Sequence, residues 1–362
     1  MPKLLIAASG TGGHIYPGLV VADSLDKSYQ ITWLGVPNRL EVDLVPKGYC
    51  LQTISVEGLQ GVGLQRFVQG VKLLLSTFFV CKILRKKNIQ IVFTTGGYIA
   101  APTILAARLC GVPVIMHEAN SIPGRVTRLL GFLCDRVALG FSGAEKFLPR
   151  CKTAFTGTPV RKDFFLPHDL PDWVPESNSP LILVMGGSQG AVKLNQMVRL
   201  IAPSLLDKGC RIVHLTGKYD AQFPNNKNNN LYHKNYIEKT FSNEIPSLLQ
   251  HADLVISRAG ASAISEFSIT GTPAILIPFP YATDNHQEKN ASFLAESAAA
   301  IIVKQNSTKF KNLQNILLRL IEDSNNSIDG LNETLSNMSK AMRMIGVRDA
   351  SEKIVDLIKS YT

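Results

Sequence analysis

Short apolar runs, each ending in a turn and followed by a helical pattern, recur along the whole 362-residue chain. Residues 3–8 lead into Ser9-Gly-Thr-Gly-Gly-His14, residues 31–34 end at Gly35, and residues 91–94 reach Gly96-Gly97-Tyr98. Residues 114–116 enter a polar turn, and the runs 136–139 and 153–155 complete the first half. Apolar runs of this length read as strands buried on both faces, and strands alternating with helices predict an α/β fold with a doubly wound parallel sheet. The pattern then starts again. Residues 181–185 predict a strand, Gly186-Gly187-Ser188-Gln189-Gly190-Ala191 a glycine loop opening a helix, and residues 211–215, 236–238, 254–256 and 274–277 further strands. Prolines at 159, 167, 171, 175 and 180 interrupt the stretch between the halves, which marks a domain boundary. A chain this long exceeds what one core usually supports. Two domains are expected, residues 1–162 and 163–340, with a last helical segment, 341–362, that could cross back to the first.

The stretch SRAGASAISEFSITGTPAILIPFP, residues 257–280, concentrates the chemistry. It reads as strand, tight turn at Gly260, helix and second strand. A helix that begins beside the carboxyl end of a strand presents unpaired N–H groups and the positive end of its dipole, which suits a diphosphate. Glu266 lies just inside that helix, where a carboxylate can accept two hydrogen bonds from the vicinal hydroxyls of a ribose. The alternative is a βαβ unit in which Glu266 is merely solvated.

The first-half loop does not fit a dinucleotide fingerprint, because Ile15 stands where the last glycine would fall, and the second strand ends in Gly35 without a ribose-binding acid. What remains is a backbone nest for a phosphate with His14 at its edge. That histidine reads either as structural or as a proton acceptor, since the positive end of a helix disfavours imidazolium. In the polar turn 117–124, His117, Glu118 and Asn120 sit where α/β folds gather ligands, although such a turn also forms when Asn120 bonds its own backbone. Arg161, in TGTPVR, is placed to clamp a phosphate or to make a surface ion pair. A flat base could rest near 236–238, and the polar run 284–290 could read sugar hydroxyls or simply start a helix.

Charge is divided unevenly. Residues 1–160 carry 17 Lys+Arg against 8 Asp+Glu, a net +9, whereas residues 161–362 carry 21 against 20, a net +1. A basic half suits an anionic surface, and without an aromatic-plus-basic RNA-binding signature a lipid surface is favoured over nucleic acid. Residues 66–87 mix Phe67, Val71, Leu74, Leu75, Phe78 and Phe79 with Lys72, Lys82, Arg85, Lys86 and Lys87. They predict either a core helix with a basic end or one whose apolar edge rests on anionic lipid. The uncharged run 73–81 is far short of the ~20 residues that span a bilayer. The six cysteines are scattered without CxxC spacing, which predicts a reduced cytosolic compartment and no structural zinc. The N-terminus reads as a first strand rather than a signal peptide.

Seven motifs occur in family order over nearly the whole chain: SGTGGHIYPGL (9–19), TTGGY (94–98), HEANSIPG (117–124), GTPVR (157–161), GGSQGA (186–191), SRAGASAISE (257–266) and DNHQEKNA (284–291). With them the chain resembles the peptidoglycan N-acetylglucosaminyltransferase family. The resemblance implies a GT-B fold, two Rossmann-like doubly wound domains with an interdomain cleft. It implies inverting transfer of N-acetylglucosamine (GlcNAc) from UDP-GlcNAc to the C4 hydroxyl of undecaprenyl-pyrophosphoryl-MurNAc-pentapeptide, converting lipid I to lipid II. Carried over by position, Thr11, Gly12 and Gly13 line the acceptor side and Asn120 faces the donor sugar. Arg161 and Ser188 hold the donor phosphates, and Ile237 meets the uracil. Ala261, Ser262, Ala263, Ile264, Ser265 and Glu266 contact nucleotide and sugar, with Glu266 on the ribose, and Gln287 reads the GlcNAc hydroxyls. His14 becomes the expected general base. Ala263 stands where relatives often have threonine, and His286 where they often have glutamine. No Asp-x-Asp pair is present to hold a metal on the diphosphate, so metal-independent catalysis without a cofactor is expected. The implied location is peripheral, on the cytoplasmic face of the bacterial inner membrane, with other wall-synthesis proteins as candidate partners. Rival readings are a non-hydrolysing UDP-GlcNAc epimerase, which shares the architecture, and a non-catalytic wall-synthesis scaffold.

Overall fold

The computed structural model describes residues 1–25, 28–56, 64–187, 190–220, 233–305, 310–325 and 333–362. The chain forms two compact units, Met1–Arg161 with Val347–Thr362, and Lys162–Gly346.

The first unit holds a seven-stranded parallel sheet in the order β3-β2-β1-β4-β5-β6-β7. Its strands are β1 (Lys3–Ala7), β2 (Gln30–Gly35), β3 (Cys50–Thr53), β4 (Ile91–Thr94), β5 (Val114–Glu118), β6 (Arg136–Leu139) and β7 (Thr153–Phe155). The apolar runs become strands because helices cover both faces of the sheet. Alternation along β1 shows this: Leu4 and Ile6 join one core with Trp33 and Phe93, while Leu5 and Ala7 join another with Val92 and Met116. The second core is closed by Val80 and Leu84 of α3 (Leu64–Lys87) and Ile104 of α4 (Ala100–Cys110). The first is closed by α1 (Gly12–Ser24) and by Ile354, Val355 and Ile358 of the terminal helix α12 (Ala350–Lys359), so residues 347–362 belong to this unit. Shorter helices α2 (Glu41–Leu44) and α5 (Arg125–Leu130) complete the unit.

The second unit repeats the design with six parallel strands in the order β10-β9-β8-β11-β12-β13. These are β8 (Leu181–Met185), β9 (Arg211–Leu215), β10 (Tyr236–Lys239), β11 (Leu254–Ser257), β12 (Ala274–Leu276) and β13 (Ala300–Ile302). Its helices are α6 (Val192–Asp207), α7 (Ile245–His251), α8 (Ala261–Thr270), α9 (His286–Glu296), α10 (Phe310–Asn325) and α11 (Glu333–Ile345). The core joins Ile182, Val184 and Ile256 of the sheet to Leu194 and Val198 of α6, Leu313 and Leu317 of α10 and Met338 of α11.

In both sheets the winding reverses beside the first strand of the unit, between β1 and β4 and between β8 and β11. Ligands in open α/β sheets bind beyond the carboxyl ends of the strands at such reversal points. Residues 8–11 and 95–99 follow the first pair; residues 186–187 and 258–260 follow the second.

Candidate active site

In the first unit the loop after β1 turns into α1, whose first turn has Thr11 as N-cap and no side-chain cap. The amides of His14 and Ile15 close the first turn on Thr11 O (3.0 and 3.2 Å), and the positive end of the helix dipole lies at this loop. His14 sits one turn in and is half-buried; its Nδ1 lies 2.7 Å from the carbonyl oxygen of Thr95, in the loop after β4. A carbonyl can only accept, so Nδ1 donates, and in the neutral ring Nε2 carries the lone pair. Gly96 and Gly97 (φ +87° and +73°) pass close to the imidazole, and a Cβ on Gly97 would lie 3.8 Å from Nε2. The left-handed backbone at both positions is what calls for glycine.

The turn 117–124 is organised by Glu118. Its buried carboxylate accepts from Asn120 N (3.0 Å), Asn120 Nδ2 (3.2 Å), Gly124 N (2.8 Å) and Thr127 Oγ1 (2.5 Å). Glu118 thus builds the turn that presents Asn120. His117 is fully buried, and its Nε2 donates to Gly157 O at 3.2 Å. Burial chiefly pushes its pKa down to about 4; the bond to Gly157 opposes that and a charge on His14 would reinforce it. Arg161, at the end of this unit, has its guanidinium carbon 4.8 Å from the ring centroid of Tyr16 on α1.

In the second unit α8 begins at Gly260, again without a side-chain cap, and a Cβ on Gly260 would meet nothing within 4 Å. Asn290 Nδ2 fixes the preceding turn by donating to Ala259 O at 3.2 Å. Ser262, Ala263, Ser265 and Glu266 are half-buried, whereas Ala261 and Ile264 face inward, so those two offer a ligand only backbone. Ser265 Oγ donates back to Ala261 O at 3.1 Å. Beneath the helix start lies a buried cation that the sequence reading passed over: Arg258 donates to Ile277 O (2.9 Å), Pro278 O (3.3 Å) and Gln305 Oε1. Burial pushes its pKa down to about 10. The signal was available, an arginine at the end of an apolar strand and directly before the glycine turn.

Gln287, in the first turn of α9, accepts from Phe279 N at 2.9 Å through Oε1, so its amide nitrogen is the end left to meet a sugar. Ile237 is half-buried on the edge strand β10. Its strand is tied down by Glu238, which pairs with Arg199 at 2.5 Å and accepts from Tyr236 Oη at 3.1 Å, while Arg199 also pairs with Asp220 at 2.5 Å. Ser188 lies outside the described residues. Among the described residues no group of three His, Cys, Asp or Glu side chains is arranged to hold a metal ion.

Residues 4–139 match the glycosyltransferase family 28 N-terminal domain, and residues 181–353 match the glycosyltransferase family 28 C-terminal domain. The chain belongs to glycosyltransferase family 28. A family 28 relative from Prochlorococcus marinus (strain MIT 9211) is 53% identical over 359 residues, covering 99% of both chains, and is named UDP-N-acetylglucosamine--N-acetylmuramyl-(pentapeptide) pyrophosphoryl-undecaprenol N-acetylglucosamine transferase. The crystal structure of Acinetobacter baumannii MurG superposes with a TM-score of 0.75 at 27% identity, over 99% of each chain, in keeping with the GT-B architecture. A structure titled putative UDP-N-acetylglucosamine 2-epimerase from Listeria monocytogenes has a TM-score of 0.68 over 99% of this chain and 96% of that one. At 16% identity it shares with this family 28 member the fold alone.

Proposed function

We propose that this family 28 member is the hexosyltransferase that moves GlcNAc from UDP-GlcNAc to the C4 hydroxyl of lipid I, giving lipid II in peptidoglycan synthesis. The near-full-length identity to the named transferase supports the reaction. The observation that carries the mechanism is the Nδ1 bond of His14 to Thr95, which leaves Nε2 as a proton acceptor. The lipid I hydroxyl lies against Thr11, Gly12 and Gly13, and gives its proton to Nε2. Its oxygen attacks the anomeric carbon from the face opposite the diphosphate, and the bond to UDP breaks with its electron pair on the diphosphate oxygen. One displacement inverts the anomeric centre and needs no covalent enzyme intermediate.

The departing charge is met by the amide groups at the start of α8 and by Arg161 and Ser188. Glu266 takes the ribose hydroxyls, Ile237 the uracil, and Asn120 with the Gln287 amide nitrogen the GlcNAc hydroxyls. No metal is required in this scheme.

The chain works at an anionic membrane surface, on the cytoplasmic face of the inner membrane. The support is α3, whose outward face exposes Leu74 (69%), Leu75 (54%), Phe78 (56%) and Phe79 (54%) beside Lys82, Arg85 and Lys86. Among the described residues no helix is long and apolar enough to cross a membrane, so a peripheral attachment fits this face. Incubating labelled UDP-GlcNAc with a lipid I analogue tests the assignment. Labelled lipid II is the expected product; free GlcNAc, or an epimerised UDP-sugar in place of transfer, would overturn it.

A further inference from the structure

Arg161 is the cation assigned to the donor phosphates, and the first unit holds the segment that carries it at both ends. At the start, Gly157 O accepts from His117 Nε2 (3.2 Å) and from Thr156 Oγ1 (2.9 Å). Gly157 has φ +75°, and a Cβ there would lie 2.5 Å from Val347 Cβ, so the backbone is wedged as well as bonded. Thr158 and Val160 are buried, which leaves the chain between the anchor and Arg161 little freedom. At the far end the guanidinium lies over the ring of Tyr16, 4.8 Å from its centroid.

Tyr16 is itself held in place. It sits on the second turn of α1, two residues beyond His14, and its ring packs against Gly12, where a Cβ would come within 3.1 Å of Cε2. A guanidinium over an aromatic ring is attracted through its face, whereas its N–H donors point outward in its own plane. The contact with Tyr16 therefore holds Arg161 through attraction to the ring face rather than through a hydrogen bond. One rigid helix then fixes both the proton-accepting nitrogen and the cation that receives the leaving group, and orientation set before binding need not be supplied by the substrate.

We propose that Tyr16 is a positioning residue for Arg161, holding its guanidinium ready for the donor diphosphate. The inference rests on the phosphate-binding role given to Arg161 above. Steady-state kinetics of the full-length protein with UDP-GlcNAc and a lipid I analogue test it, using Tyr16→Phe, Tyr16→Met, Arg161→Ala and the Tyr16→Met/Arg161→Ala double variant. Tyr16→Phe keeps the aromatic face and is expected to retain wild-type kinetics. Tyr16→Met is expected to lower kcat/KM for UDP-GlcNAc by about three- to tenfold, with KM for lipid I unchanged and no further loss once Arg161 is alanine. A Tyr16→Met loss that persists in the Arg161→Ala background, or one that appears as a raised lipid I KM, overturns the positioning role and leaves Tyr16 as packing for the Gly12 turn. Arg161→Ala with unaltered UDP-GlcNAc kinetics would instead overturn the phosphate role itself.

Discussion

With Nδ1 of His14 committed to the Thr95 carbonyl, only Nε2 can exchange a proton with a substrate. Replacing His14 by alanine is expected to reduce kcat by about 10²- to 10⁴-fold, the usual worth of a general base. The dissociation constant for UDP-GlcNAc, measured by calorimetry, should stay near wild type, because the proposed donor contacts fall to other residues. Two further histidines are buried neutral, one in each unit. Burial pushes both His117 and His214 from the ordinary 6.5 to about 4, with Arg199 adding to the effect at His214 while Glu238 and Asp220 oppose it. Above pH 6.5 neither group favours the folded or the unfolded chain. As pH falls from 6.5 towards 4 the unfolded chain takes up protons that the folded chain refuses, so stability drops, by up to about 3 kcal/mol per histidine. Urea denaturation at pH 7 and pH 4.5 should show the loss, and His214→Asn should shrink it in the second unit; equal midpoints at both pH values would contradict this account. At this scale the sequence marked His14, Asn120 and Glu266 but could not separate ligand from scaffold. Glu118 read as a ligand candidate on equal terms with Asn120 until its four hydrogen bonds, two of them from Asn120, were seen, and Tyr16 and Arg258 carried no local signal of their partners.

Among the elements, α3 departs furthest from a plain amphipathic core helix. One face, Val80 and Leu84, enters the core with α4, and the opposite face leaves Val68, Val71, Leu74, Leu75, Phe78 and Phe79 in solvent. Lys82 lies 4.8 Å from the Phe78 ring centroid, so charge and apolar surface share one patch, whereas Lys87 leans on Cys50 Sγ at 3.4 Å. Charge reversal at Lys82, Arg85 and Lys86 is expected to weaken binding to phosphatidylglycerol vesicles at least about tenfold, and added salt should do the same to the native chain. Unaltered sedimentation with vesicles would remove the membrane reading of this helix. The apolar and basic residues of α3 were legible in sequence; which of the apolar ones the sheet would cover was not.

Across the whole molecule, the proposed donor chemistry uses no metal, and with no Asp-x-Asp pair in the sequence it relies on helix dipoles and Arg161. Transfer measured in excess chelator should equal transfer without it, and dependence on added Mg²⁺ would contradict the scheme. The period of the apolar runs already determined two α/β units, because a run of four or five buried residues between glycine turns has few other ways to satisfy its backbone. The glycine loops and the helix start after β11 likewise lay in local sequence, where a strand, a turn and a helix start are neighbours in the chain. Tertiary structure alone decided the rest. The strand order puts residue 95 beside residue 14, the last helix returns to the first unit through Ile354 and Ile358, and α11 finds its place against the core of the second unit through Met338. Such pairings join residues scores of positions apart, and a local pattern records that a face must be covered without recording which distant segment will cover it.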